Sequence, residues 1–428
     1  MKNKTTRKKS TRIAALALLA TTSGIAPSVQ AADLFSVTTT APSVTPVTKS
    51  NSDLEKLIRD AIQSRDQFQP FLGLSNVNST LNWGGVPNAL IFNQTESAGI
   101  YTGVLTSSVL PGFQVTRQAT SQDNLGDEFT NFFKKDGAGL YTDLLKAISA
   151  TSKVSPTDGN PNADTARNAS NDYNSGAKVS GETKAEKKSN AAAAAASGFR
   201  VDADLGTFTA NGIQGRTFAL PLSKRFVLSE RVKLDVGLPL SYSTIGNATI
   251  YSVGLNLGFP TDILKKANGQ PISWRVTPFG GASATASREM LLGGAILRGG
   301  ISNLVAYDFG KFEVAIGNQI SQHSSMELDI AGTKVDPGVD QQILKNGVQI
   351  CVPLAQHWIV EGYVIHTNFL AAAGVKQYLT YGGDVGYRIM ETKDAVSRFV
   401  GTLRVGAYVD SGSGFTGAHF RIGSNWKF

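Results

Sequence analysis

The residues best spaced for chemistry are Gln322-His323-Ser324-Ser325-Met326-Glu327. A histidine two positions before a serine, with a carboxylate nearby, supplies a general base, a nucleophile and an orienting acid for acyl hydrolysis. A polar strand end entering a loop has the same composition. His323 and Ser325 also continue the phase of Glu313, Ala315, Gly317 and Gln319, the wet face of their segment. The chain is therefore read as a non-enzyme. His357, His366 and His419 are scattered without ligand spacing, and no glycine-rich phosphate loop or Gly-x-Ser-x-Gly elbow occurs. No metal or cofactor is expected. Cys351, the single cysteine, sits among Val348, Ile350 and Val352 as a small filler and forms no intrachain disulfide.

Any site must be carried by the elements after residue 198, where apolar residues recur at every second position. Val232, Leu234, Val236, Leu238, Leu240 and Tyr242 alternate with Lys233, Asp235, Gly237, Pro239, Ser241 and Ser243. Tyr251, Val253, Leu255, Leu257 and Phe259 alternate with Ser252, Gly254, Asn256 and Gly258. Successive strand residues face opposite sides, so each segment is a ribbon with one oily and one wet face. The pattern predicts about twelve strands. They fall near 198–209, 215–228, 231–244, 248–260, 272–285, 292–309, 311–324, 342–354, 358–369, 377–390, 397–410 and 414–428.

A soluble sandwich alternates too, with its oily face inward. Three features turn that face outward here. The wet face carries charges of both signs, among them Arg200, Asp202, Asp204, Lys233, Asp235, Arg404 and Arg421, which suit a hydrated lumen. They could select solutes or pair across the interior, and a paired filling suits so narrow a barrel. Tyr307, Phe309 and Phe312 flank the tight Gly310-Lys311 turn, with Trp274, Trp358, Trp426 and Phe428 elsewhere, as interfacial aromatics do. Short turns at 229–230, 310–311 and 355–357 contrast with long ones at 261–271, 325–341 and 371–377. The expected fold is all-β, with a C-terminal antiparallel transmembrane β-barrel.

The two termini agree. Phe428, Trp426, Ile422, Phe420, Ala418 and Thr416 share one face of a final ribbon, broken at Ser424, and closure of a barrel leaves such a strand no open edge. Residues 1–31 read as a secretory signal, with a basic start, an apolar core at 13–20 and cleavage between Ala31 and Ala32. That core is far shorter than the roughly 20 residues of a membrane helix. The formal charge of +8 falls to near +2 once the six Lys and Arg of the signal are removed, so nothing argues for nucleic acid as a partner.

Between the termini, residues 32–52 read as a Thr/Ser/Pro linker and 53–152 as a small α+β region with helical spacing at 53–69 and 125–148. Residues 153–197 read as a low-complexity linker, too poor in apolar residues to fold. It runs into Ala191, Ala192, Ala193, Ala194, Ala195 and Ala196, a slim helix former that would fit a narrow pore or lie outside it. Residues 198–428 form the barrel.

A signal, a region to be displayed, a helix-forming linker and a C-terminal barrel ending on an aromatic together resemble an autotransporter of the Gram-negative outer membrane. The pattern Phe428, Trp426, Ile422, Phe420 resembles the signal by which the barrel-assembly machinery recognises its clients. The resemblance implies that machinery and periplasmic chaperones as partners, outer-membrane lipid and lipopolysaccharide as surroundings, and surface display or export of residues 53–152. An outer-membrane channel for small solutes is the alternative. The His-x-Ser at 323–325 resembles that of outer-membrane lipid A deacylases and implies, as a third possibility, a lipid hydrolase. The paired asparagines at which some autotransporters cleave themselves are missing, since Asn190 is followed by Ala191.

Overall fold

The computed structural model describes residues 34–51, 54–134, 138–178, 198–246, 248–265, 270–287, 292–326, 328–330, 333–355, 357–388 and 400–427. The signal with its Ala31–Ala32 junction, the alanine run 191–196 and Phe428 lie outside the described residues.

The N-terminal part is a six-stranded antiparallel sheet in the order β2-β1-β3-β4-β5-β6. Its strands are β1 (Phe35–Ala41), β2 (Val44–Ser50), β3 (Asn76–Trp83), β4 (Val86–Ser97), β5 (Ile100–Thr106) and β6 (Gln114–Ala119). The helices α1 (Leu54–Ile62), α2 (Gln122–Lys134) and α3 (Ala138–Thr151) cover one face. Phe35 packs edge-on against Trp83 and Phe92 against Phe129, beneath the buried Leu125, Leu144 and Ile148.

The linker expected at 32–52 is thus corrected to a hairpin of β1 and β2. Its threonines and valines are β-branched and favour a pleated surface. The turn between them places Ser43 at φ 66 after Pro42. Pro46 is tolerated because β2 is an edge strand with no partner on its far side.

The second sheet closes on itself. Its long strands are β7 (Gly198–Ala210), β8 (Ile213–Val227), β9 (Lys233–Ile245) and β10 (Ala248–Gly258), followed by the short β11 (Thr261–Leu264) and then β12 (Ile272–Ser287), β13 (Leu292–Asp308) and β14 (Glu313–Met326). A small hairpin, β15 (Leu328–Ile330) and β16 (Thr333–Val335), precedes β17 (Asp340–Pro353), β18 (Trp358–Phe369), β19 (Gln377–Arg388), β20 (Val400–Gly412) and β21 (Phe415–Lys427). β21 pairs with β7, and β10 pairs with β12 across β11, so the long strands form a closed twelve-stranded antiparallel barrel. The oily phase points out: Leu255, Leu297, Ile316, Ile320, Val348, Val364 and Tyr381 are all exposed, as lipid-facing residues must be.

An even strand number puts both chain ends of the barrel on one rim, here called the terminal rim. Its outward aromatics pair as Tyr307–Phe309 at 4.5 Å, Phe309–Phe312 at 4.7 Å and Trp358–Tyr387 at 4.7 Å between ring centroids. The expected division of turn lengths is corrected. The connection expected as a long loop at 261–271 begins with β11 on the terminal rim, the same rim as the short turns at 229–230 and 310–311. The opposite rim has two-residue turns at 211–212 and 413–414 beside the longer 370–376. Gly212 and Gly414 sit at φ 79 and 69, the left-handed geometry that such tight hairpins demand.

An arginine at the lipid-facing Ile320 should cost about 2–4 kcal/mol. Ile320→Arg is expected to lower the urea midpoint of the folded barrel in lipid vesicles, whereas Ile320→Leu should stay close to the parent.

Candidate functional site

The lumen is where this fold gathers its polar side chains, and a helix fills much of it. Helix α4 (Asp164–Gly176) runs inside the barrel and packs mainly against β10, β12, β13, β14 and β17. For residues 155–178 this corrects the expectation of a disordered linker at 153–197, with 179–197 lying outside the described residues: residues 155–164 are buried, and so are Thr165, Ala166, Asn168, Ala169, Asp172, Tyr173 and Gly176 of α4. The alanine run at 191–196 lies outside the described residues, and the helix described in the lumen is α4. It is a segment of Asp, Asn, Ser and Ala that no apolar core could accommodate but a polar lumen can.

Many of the polar groups of α4 meet barrel partners. Asp164 accepts from the Ser283 hydroxyl, and Asn168 donates to the same oxygen at 3.1 Å. Arg298 donates to Asp172 at 2.9 Å, with both side chains almost fully buried, and Asn256 donates to the other Asp172 oxygen at 3.1 Å. Gln319 reaches the Ala169 carbonyl at 2.9 Å and the Tyr173 hydroxyl reaches the Gly317 carbonyl at 3.3 Å. Small residues allow close approach, since a Cβ on Gly317 would stand 2.1 Å from the Ala177 carbonyl oxygen. Beyond the helix, Lys178 and Arg421 converge on Asp384 at 3.2 and 2.6 Å.

The direction of α4 matters as much as its contacts. Ser283 lies four residues from the far end of β12, whereas Gly317 and Asp384 lie four residues from the terminal rim on β14 and β19. The chain therefore descends through the lumen from the far rim towards the terminal rim, where β7 begins.

The N-terminal region sits on the far rim as a cap. Barrel residues Phe208, Ile213, Ile245, Ile250, Ile343 and Phe415 belong to the same buried cluster as Leu34, Phe35, Trp83 and Val154. Phe208 stacks on Phe415 at 5.8 Å. The Ser152 hydroxyl donates to the Gly84 carbonyl at 2.6 Å, Val375 N–H to the Gly159 carbonyl at 2.8 Å, and Lys146 pairs with Asp336 at 3.1 Å. This apolar collar lies on the wet phase of its strands. The signal for it was present as apolar residues out of step with the alternation, all near one end.

The charges assigned to the lumen all sit on the inner phase. Arg200 pairs with Asp202 at 2.6 Å; Arg225 forks onto Asp235 at 2.6 and 2.5 Å; Lys233 and Arg275 share Asp262 at 3.3 and 2.8 Å. Arg404 pairs with Glu361, and Asp204 accepts from Tyr408 at 2.7 Å and faces His419 Nδ1 at 3.0 Å. Cys351 is buried on the same inner phase. Among the terminal residues, Ile422 faces outward and is exposed, Phe420 is half-buried, and Trp426 pairs through its backbone with Phe199 and Val400.

His323 and Ser325 do not form a dyad. His323 Nε2 is 3.0 Å from the Ser321 hydroxyl, and Ser325 donates to Asp336 at 2.5 Å; Glu327 lies outside the described residues.

Solved bacterial outer-membrane barrels are similar to residues of this barrel. The translocator domain of the autotransporter NalP from Neisseria meningitidis matches at 12% identity over 54% of this chain and 88% of that one, with a TM-score of 0.41. The beta domain of the Bordetella autotransporter BrkA matches at 10% over 54% of this chain and all of that one, TM-score 0.38. The NanC porin matches at 10% over 53% of this chain and all of that one, TM-score 0.34. No family model matches the chain, and no curated protein matches it in sequence.

Two outcomes follow from the geometry. Asp172→Ala leaves Arg298 buried without its carboxylate, at a cost of about 3–5 kcal/mol, so α4 should loosen and conductance in planar bilayers should rise. Joint replacement as Asp172→Leu with Arg298→Met should restore closure. Burial acts to raise the Asp336 carboxyl, but the Ser325 hydroxyl, the Gly338 N–H and Lys146 hold it below its ordinary value. A depressed carboxylate stabilises docking above its unfolded pKa of about 3.9 and loses that contribution as pH falls through the lower folded value. Hydrogen exchange in residues 146–153 should therefore quicken below about pH 4, and already at neutral pH in Asp336→Asn.

Proposed function

We propose that this protein is an outer-membrane translocator that displays its own N-terminal domain on the cell surface and keeps it docked there as a cap. The observation that carries the reading is the path of the chain: a domain on the far rim, a helix descending through the lumen, and a first strand starting at the terminal rim. A barrel inserted from the periplasm sends its hairpin turns across the membrane and leaves both chain ends behind. The rim opposite those ends is then the external one, and a domain that had stayed periplasmic would need no thread through the lumen.

The cap favours retention over release. Its apolar contact with the collar is continuous with the domain core, so separation would expose that surface to water. An open solute channel is disfavoured by the same features, since α4 occupies the lumen and the cap covers one mouth. Barrel-assembly machinery and periplasmic chaperones are the partners such a protein requires, and the exposed Ile422 belongs to the edge they would handle.

The test uses the exposed turn at Ser97-Ala98-Gly99, far from the collar. An epitope inserted at Ala98 should be stained by antibody on intact cells and removed by added protease. Staining that requires permeabilised cells would reverse the orientation and end the proposal.

A further inference from the structure

The six-stranded sheet of the cap has two faces of opposite character. Helices cover one, which holds the buried Phe35, Trp83, Phe92 and Leu105. Register partners share a face, and every charged side chain of the six strands belongs to that covered phase: Lys49 pairs with Val37, Glu96 with Tyr101 and Arg117 with Gly103. The outer phase carries no formal charge. One row crosses all six strands as Thr48, Thr38, Thr80, Ile91, Thr106 and Gln114. The row from Thr40 to Thr116 adds Asn78, Asn93 and Val104, and the row from Asn76 to Gln118 adds Thr95 and Thr102. Each of these side chains is at least partly exposed.

Cross-strand hydrogen bonds hold several of these groups in place. The Thr38 and Thr48 hydroxyls lie 2.9 Å apart, and the Asn78 amide donates to Asn93 at 2.6 Å. Gln118 donates to Thr102 at 3.1 Å and, one row further, Asn82 to Ser36 at 3.1 Å. An amide or a hydroxyl both donates and accepts, so each keeps capacity after its first bond. Part of the entropy that a ligand would have to remove is already gone. The rows repeat about 4.8 Å from strand to strand, close to the rise of one sugar ring in an extended glycan.

What such a face can hold follows from what it lacks. It has no Lys or Arg for a phosphate, sulfate or carboxylate polymer. It has no aromatic or arginine anchor of the kind that carries protein interfaces, and Ile91 and Val104 are the only apolar side chains of these rows. A dry partner surface would leave its amides and hydroxyls unpaired. A neutral polyhydroxylated chain brings no charge to strand and offers a hydroxyl to each polar group it meets.

We propose that this face binds a neutral polysaccharide, laid in extended form across the strands. The proposal rests on surface display only for access to that ligand.

Full-length protein in lipid nanodiscs is run through native gels containing soluble glucan, xylan or mannan, or the anionic alginate, and is sedimented with cellulose or chitin. At least one neutral glycan should retain the parent, with little change between low salt and about 0.5 M, because no ion pair is made. Asn93→Lys with Thr116→Lys, both at exposed positions, should weaken retention about tenfold, as when several neutral hydrogen bonds are lost together. Asn131→Lys, which adds charge at an exposed position of α2, should match the parent. Retention by none of the neutral glycans, by alginate alone, or undiminished in the double-lysine variant overturns the proposal. A dimer of nanodisc particles that the double-lysine variant abolishes, with no glycan retained, also overturns it and assigns the face to a second copy. Binding is read on purified protein, so glycan retention beside staining only in permeabilised cells removes display alone, and the reverse pattern removes the glycan face alone.

Discussion

A backbone in hydrocarbon has no water to bond with, and this constraint orders everything else in the structure. The N–H and C=O groups of the spanning strands must find partners within the sheet, so the ribbon has to close, β21 upon β7. Closure in lipid inverts the usual assignment of faces. Leucines and isoleucines that would form a core in water become the outer surface, and the interior is left to serines, threonines, glycines and charges.

A polar interior then determines what can fill it. An apolar helix would leave the hydroxyls, carboxylates and guanidinium groups of the wall without partners, at a cost of about 1–3 kcal/mol for each neutral group and more for a charged one. Helix α4 answers with Asp164, Asn168, Asp172 and Tyr173, and uses alanine and glycine where it must lie close to the wall. Towards the far rim the wall changes character. Phe208, Ile213, Ile250 and Phe415 replace polar residues, and there the domain seals the mouth by apolar contact. The lumen thus holds its thread by hydrogen bonds and its cap by burial of apolar surface.

The strands of the barrel were legible because period-two alternation survives whichever way the oily face points, and their limits follow from the residue pattern to within a few positions. The segment 155–178 was not legible. Its composition matches that of a disordered linker, and the test applied to it, whether enough apolar surface exists to offset chain entropy, presumes a dry core. Inside a wet barrel the compensation comes from hydrogen bonds that were already built into the wall. The hairpin of β1 and β2 escaped notice for a different reason: Pro42, Ser43 and Pro46 read as linker residues, although two of them form a turn and the third lies on an edge.

Phase and composition alone determined that this chain makes amphipathic strands, about how many there are, and which side chains share a face, because these properties are local and follow from backbone geometry. Tertiary structure alone decided which rim bears the domain, that the thread in the lumen is α4, and which charge pairs with which. Those outcomes depend on contacts between residues far apart in sequence, such as Asp172 with Arg298 and Lys178 with Asp384, that come within reach only after the sheet has closed around them.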